Sequence, residues 1–171
     1  MSVSTISSPL NIQHVLIGEI RIASNGILKA TLGSCVAVAL IDRKRGICGL
    51  AHCLLPYATQ GSQPGNARFA DRALQNLLLA GGWDTHARRR LKGFLAGGAR
   101  MIPENGSNRL TVGDMNVSAA QTSFNEHNIP YNILEVGGTE GYTVIVDCDT
   151  QTVTCSRIRP MTTEEEETPW S

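Results

Sequence analysis

Residues 31–56 read TLGSCVAVALIDRKRGICGLAHCLLP and contain two apolar runs joined by a charged turn. The runs, residues 36–42 and 47–55, are rich in aliphatic and β-branched side chains, which is typical of strands. The intervening RKRG supplies a solvated tip and a glycine, as a short hairpin loop requires. We therefore predict a β-hairpin at the centre of the fold.

This hairpin carries a candidate nucleophile and a candidate base. If its strands pair across the RKRG turn, His52 faces residues 36–38, and an odd sum of paired residue numbers puts Cys35 and His52 on one face. Cys35 also follows a Gly-Ser turn, where uncommitted backbone N–H groups are expected to lower a thiol pKa and hold an oxyanion. A nucleophilic Cys–His pair is one interpretation. A small buried cysteine and a hydrogen-bonded core histidine are the other.

Two further kinds of site are disfavoured by spacing. Cys48, His52 and Cys53 resemble a metal-ligand cluster, but neighbours at positions 52 and 53 point to opposite faces of a strand. Gly97-Gly98 resembles part of a phosphate loop, but no Lys-Ser/Thr follows it. The spacing therefore predicts neither a metal site nor a phosphate loop.

The rest of the chain shows separate strand and helix patterns. Strand patterns cover 15–23, 27–31, 91–96, 131–136, 142–147 and 152–158, and helix patterns run from 64–66 to 81–82 and from 114 to 127. With the hairpin this makes seven or eight strands and two main helices. Since the two kinds of element are partly segregated, we predict an α+β fold, a single layered α/β sandwich with mixed β-sheets.

Length and charge favour one domain followed by a tail. The chain has 171 residues, with fifteen basic and fifteen acidic side chains. Four of the acids are the glutamates at 164–167, so we predict a domain over 1–159 and an acidic, disordered tail over 160–171. The remaining excess of positive charge is small and scattered, which argues against nucleic acid. No signal peptide or long apolar run is visible and the five cysteines have no disulfide-framework spacing, so we expect a cytoplasmic protein that is not inserted in a membrane.

Several motifs together resemble the chemoreceptor glutamine deamidase family (CheD). LGSCVAV is followed, seventeen residues after its cysteine, by the histidine of GLAHCLLP. NARFAD at 66–71, LAGGARM at 95–101, GDMN at 113–116 and the glycine pair at 137–138 continue the resemblance in order over about residues 15–158. The family's architecture is a layered sandwich related to cysteine-dependent bacterial toxin deamidases.

The resemblance implies an activity and a site. Family members hydrolyse the side-chain amide of particular glutamines in methyl-accepting chemotaxis receptors, giving glutamate and ammonia without a cofactor. Transferred to this sequence, Cys35 is the nucleophile, His52 the general base and acid, and Thr31 the threonine that orients the imidazole. Thr31 lies four residues before Cys35, whereas the family's threonine lies five or six before, and Tyr142 stands where the family usually has arginine.

An alternative from a different class is a chemotaxis binding module. Such a protein would engage receptors or a CheC-type phosphatase with weak or no catalysis. A third possibility is a cysteine hydrolase of the same fold that acts on a different protein amide. Loss of activity on replacing Cys35 would favour either enzyme, and binding that survives the replacement would favour the module.

Overall fold

The computed structural model describes residues 10–101 and 109–159. These residues form nine strands, two α-helices and one 3₁₀ helix. In chain order they are β1 (Ile12–His14), β2 (Ile20–Ala23), β3 (Ile27–Leu32), β4 (Val36–Asp42), β5 (Ile47–Cys53), α1 (Ala70–Gly81), the 3₁₀ helix (Ala87–Arg90), β6 (Lys92–Gly97), α2 (Val112–Glu126), β7 (Tyr131–Val136), β8 (Tyr142–Asp147) and β9 (Thr152–Arg157). The predicted tail over 160–171 lies outside the described residues.

The strands form two mixed sheets stacked in layers. One sheet has the order β1-β3-β8-β9 and the other β2-β5-β4-β6-β7. One apolar core fills the space between the two sheets, and a second lies between the five-stranded sheet and the helices. The predicted α+β layered sandwich with two main helices is therefore confirmed, with β1 as an additional short strand.

The central hairpin has the predicted register. Ala37 pairs with His52 and Asp42 pairs with Ile47. Every residue of β4 is buried, because its alternate side chains enter the two cores. The second strand ends at Cys53 rather than at residue 55 as predicted, since the N–H groups of both Leu54 and Leu55 turn away to the carbonyl of Arg68.

The predicted strand over 15–23 is wrong in its first half. The chain leaves β1 in the four-stranded sheet, crosses over residues 15–19, and enters the five-stranded sheet only at β2. Gly18 turns the crossing with φ +83°. The N–H of Gly18 bonds the His52 carbonyl and the N–H of His52 bonds the Glu19 carbonyl. The crossing segment is thus fixed against the histidine.

The helices differ from prediction at their starts. The first begins at Ala70 rather than near 64–66, because Phe69 still pairs with Leu55 in an isolated bridge. It ends as predicted, with Gly82 at φ +67° as the C-cap. The second begins two residues early at Val112, behind a capping box formed by Thr111 and Asp114. No described helix is long and apolar enough to cross a membrane.

Candidate active site

Cys35 lies immediately before β4, at the point where the chain arrives from β3. Its side chain is 6% exposed and belongs to the core between the sheets. The carbonyls of Gly33 and Cys35 accept hydrogen bonds from Ala99 and Gly98. Within the described ranges, the N–H groups of Ser34 and Cys35 have no acceptor on another residue. Among the described residues the N–H of Ser34 thus has no acceptor, and a backbone donor beside the thiol can stabilise an oxyanion.

The thiol pKa does not follow the sequence expectation. Burial raises the pKa of Cys35, and the hydrogen bond from its own backbone N–H lowers it by less. The prediction of a lowered pKa is therefore wrong for the unliganded protein, because the loss of water outweighs the local donor. A neutral Cys35 needs a base to become a nucleophile.

The glycine loop after β6 holds the backbone of the cysteine. Gly97 and Gly98 have φ of +108° and +71°. A Cβ at Gly97 would overlap the carbonyl oxygen of Cys35. The two glycines allow this close approach, so the LAGGARM motif supports the turn that carries the cysteine.

His52 lies on the same face of the sheet as Cys35. It pairs directly with Ala37, two residues along the chain from Cys35. Cys35, one residue before the ladder, is therefore a diagonal neighbour of His52, but no hydrogen bond joins its thiol to Nε2 of His52. The pairing of residues 37 and 52 has an odd sum, so of the two alternatives that the sequence left open the register selects the common face. Cys53 points the other way, into the core beneath the helices, and no cluster of three potential metal ligands occurs in the described part of the chain.

The hydrogen bonding of His52 fixes its tautomer. Its Nδ1 lies 2.9 Å from the carbonyl oxygen of Val15, and since a carbonyl only accepts, Nδ1 carries the proton. Its Nε2 is buried and has no partner in the described residues. Burial lowers the pKa of His52, more than the Val15 bond and the charge of Glu19 raise it. The result is a neutral imidazole with an unpartnered basic nitrogen.

Thr31 shares a pocket with His52 but does not bond it. The pocket has a volume of about 420 Å³ and is also lined by Val15, Leu16 and Ile17. Thr31 is exposed on β3. The acceptor for the imidazole is the Val15 carbonyl, not the Thr31 hydroxyl. The predicted hydrogen bond to Thr31 is therefore absent, and any other part for Thr31 in catalysis stays a prediction.

Tyr142 is a buried structural residue. It is 2% exposed, and its hydroxyl donates to the Gly137 carbonyl at 2.7 Å. The Tyr142 hydroxyl thus supports the turn between β7 and β8 through this hydrogen bond. The family that the sequence resembles usually has arginine at this position.

Comparison with known proteins decides the family. The family model described as CheD chemotactic sensory transduction matches residues 54–157. The chain belongs to the CheD family. A Bdellovibrio bacteriovorus protein named "Probable chemoreceptor glutamine deamidase CheD" is 38% identical over 130 residues, covering 75% of this chain and 83% of the relative. An Archaeoglobus fulgidus protein of the same name is 36% identical, with 75% and 82% covered.

A third CheD relative extends the range of organisms. The Ruegeria sp. protein named "Probable chemoreceptor glutamine deamidase CheD 2" is 34% identical over 154 residues, which cover 80% of this chain and 86% of the relative. The CheD model's match begins two residues after His52 and includes the glycine loop and α2.

Sequence reasoning missed the Val15 carbonyl as the partner of His52. A backbone acceptor leaves no residue-type signal.

Proposed function

We propose that this protein is a protein-glutamine deamidase that converts specific glutamine side chains of methyl-accepting chemotaxis receptors to glutamate. Membership of the CheD family and the names of the relatives supply the substrate class. The observation that carries the chemistry is the unpartnered Nε2 of a neutral His52 on the same face as Cys35.

The first half of the reaction forms a thioester. Nε2 of His52 takes the proton from the Cys35 thiol, and the thiolate attacks the carbonyl carbon of the glutamine side-chain amide. The amide oxygen becomes an oxyanion that the backbone N–H groups of Ser34 and Cys35 stabilise. The imidazolium then gives its proton to the amide nitrogen, the C–N bond breaks, and ammonia leaves.

The second half restores the enzyme. His52, neutral again, takes a proton from a water molecule while the oxygen attacks the thioester carbonyl. The C–S bond breaks, the sulfur recovers a proton from the imidazolium, and the product side chain is glutamate. Throughout both halves the Val15 carbonyl keeps the proton on Nδ1, because it offers no proton of its own.

Thr31 completes the proposed site. It lines the same pocket as His52, so its hydroxyl can contact a substrate that enters there. Thr31→Ala should then weaken activity less than replacement of either member of the pair.

The proposal extends to place and partner. We place the reaction in the cytoplasm, because five cysteines without disulfide-framework spacing fit a reducing compartment, and we take a CheC-type phosphatase as a second partner from the family resemblance. A pull-down with the purified protein as bait and a purified CheC-type phosphatase as prey tests this partner directly. A phosphatase that is not retained would contradict the proposed partnership.

The deciding experiment is ammonia release from a purified chemoreceptor cytoplasmic domain. Wild type, Cys35→Ala and His52→Ala are compared, and mass spectrometry identifies the converted glutamines. Glutamine-specific release that disappears in both variants is the expected result. Release that persists in Cys35→Ala would overturn the mechanism. Receptor binding without release from wild type would favour the binding module.

A further inference from the structure

Asn116 is a buried polar residue of α2 that contacts the turn bearing the cysteine. Its side chain has no exposed surface. Its Nδ2 donates to the carbonyl oxygens of Ser34 and Leu54, at 3.0 Å each. Because carbonyls only accept, the NH₂ group must face them and the side-chain oxygen must face away. Both hydrogens of the amide are therefore used on backbone carbonyls next to the candidate site.

The two carbonyls lie where the central hairpin opens. The ladder between β4 and β5 ends at the pair Val36 and Cys53. Ser34 and Leu54 lie just beyond that pair. Neither of their carbonyl oxygens accepts a backbone hydrogen bond from another described residue. One amide thus takes the place of a missing ladder bond. It connects the residue before Cys35 to the residue that follows β5, two positions after His52.

The position of Asn116 is itself fixed by the approach of α2. A Cβ at Gly113 would overlap the carbonyl of Gly98, so the first turn of the helix lies against the glycine loop. The capping box holds this helix end, and Arg100 reaches Asp114 at 3.1 Å. Asn116 follows Gly113 by one turn, which places its amide under the open strand ends.

We propose that Asn116 is a positioning residue that sets the placement of Cys35 relative to His52. The inference rests on the proposed deamidase function for its kinetic consequence. Asn116 acts through the backbone carbonyls of Ser34 and Leu54, on the two sides of the open hairpin end. Since Cys35 and His52 are diagonal rather than directly opposite, a small shift of the turn changes the distance over which the proton must move.

Two substitutions separate hydrogen bonding from packing. Asn116→Asp preserves side-chain size but removes both donors, and Asn116→Ala removes the donors together with volume. Ser123→Ala is the matched control, because Ser123 is also buried on α2 and its hydroxyl has no partner among the described residues. All variants are assayed on the receptor domain at a temperature where circular dichroism shows them folded.

The expected signature is a split between kcat and KM. Both Asn116 variants should lose roughly 10- to 100-fold in kcat, as expected for a misplaced reacting group, with KM changed by less than about twofold. Ser123→Ala should retain wild-type values. A kcat of either Asn116 variant equal to that of Ser123→Ala would overturn the proposal, as would failure of both Asn116 variants to fold.

A second readout needs no receptor. The rate of Cys35 modification by iodoacetamide is compared with that of Cys155, a partly exposed thiol on β9 that serves as internal reference. The ratio should change by about threefold or more in the Asn116 variants and stay constant in Ser123→Ala, since alkylation depends on access and thiolate content. An unchanged ratio would overturn the positioning role. An inactive wild type with a changed ratio would overturn the deamidase and support the positioning role.

Discussion

At the scale of single residues, the tautomer of His52 determines how activity should depend on pH. Burial lowers the pKa of this histidine, so the imidazole stays neutral and basic to a lower pH than an ordinary histidine. The acidic limb of kcat/KM against pH should therefore have its midpoint below 6.5, the ordinary value. The rate of ammonia release, measured from about pH 4.5 to about pH 8, tests this midpoint, because that range spans the titration of an ordinary histidine. A midpoint at or above 6.5 would contradict it.

The thiol gives a separate residue-scale prediction. Burial raises the pKa of Cys35 above its ordinary 9.0, so iodoacetamide should modify Cys35 in the free protein with a rate that is still rising at pH 9.0. Peptide mapping by mass spectrometry distinguishes Cys35 from the four other cysteines. A rate that levels off near neutral pH would show a preformed thiolate and contradict the prediction.

The sequence predicts these two side chains better than their surroundings. Period-two alternation leaves two alternatives, Cys35 and His52 on one face or on opposite faces, and the observed register selects the common face. The partner of Nδ1 is a carbonyl from the crossing segment before β2, and every residue carries such a group. A distant backbone contact of this kind depends on the assembled sheets, which no local pattern encodes.

At the scale of elements, the end of β6 controls the turn that carries the cysteine. Gly97→Ala should lose roughly 1–3 kcal/mol of unfolding free energy to backbone strain and should lower activity, because the new Cβ would push the Cys35 carbonyl away. Urea unfolding and ammonia release measure the two effects.

Gly46→Ala is the control for that change. Gly46 also has a positive φ, +66°, but its added Cβ meets only the Gln151 side chain at 4.0 Å. It lies at the hairpin turn, away from the site, so it should lose stability and keep activity. Equal activity losses in the two variants would show that the contact between Gly97 and Cys35 has no catalytic importance.

Element prediction succeeded where pairing is local and failed where it is remote. The hairpin is specified by two apolar runs and one turn, all within residues 36–55. Residues 15–23 carry a continuous strand-like pattern, yet the chain changes sheet at 15–19. The choice of sheet depends on β3 and β5, to which β1 and β2 pair. That competition between distant partners has no counterpart in the local sequence.

At the scale of the whole molecule, the site and a second buried polar cluster lie at opposite ends of the central hairpin. Asp42, at the turn end of β4, has no exposed surface. It accepts hydrogen bonds from Trp83 at 2.8 Å and from Arg90 at 3.0 and 3.1 Å. These bonds join the hairpin to the connection between α1 and β6, so they hold the sheet to the helix layer. The proton transfer itself takes place at the other end.

Asp42→Asn should therefore reduce stability without impairing catalysis. Burial raises the pKa of Asp42, but the bonds from Arg90, Trp83 and the Arg45 backbone together lower it below 3.8. The stabilisation is present above the unfolded-state pKa and is lost as pH falls through the folded-state pKa. Urea unfolding should show a loss of about 1–3 kcal/mol at pH 7, because asparagine keeps an acceptor oxygen but loses the charge that the partly exposed Arg90 bonds. That difference should shrink below pH 3.8.

Glu135→Gln is the control for this whole-molecule argument, because Glu135 pairs with Arg157 on the surface, with both side chains well exposed. Its effect on unfolding free energy should stay under about 1 kcal/mol. At a temperature where Asp42→Asn is fully folded, the kcat/KM of Asp42→Asn should match that of wild type. No described bond of Asp42 reaches Cys35, His52 or Val15. A fall in kcat/KM in the folded Asp42→Asn protein would show that the two ends are coupled through β4 and β5. The site would then depend on the whole sandwich rather than on the turn, the glycine loop and α2 that contact it.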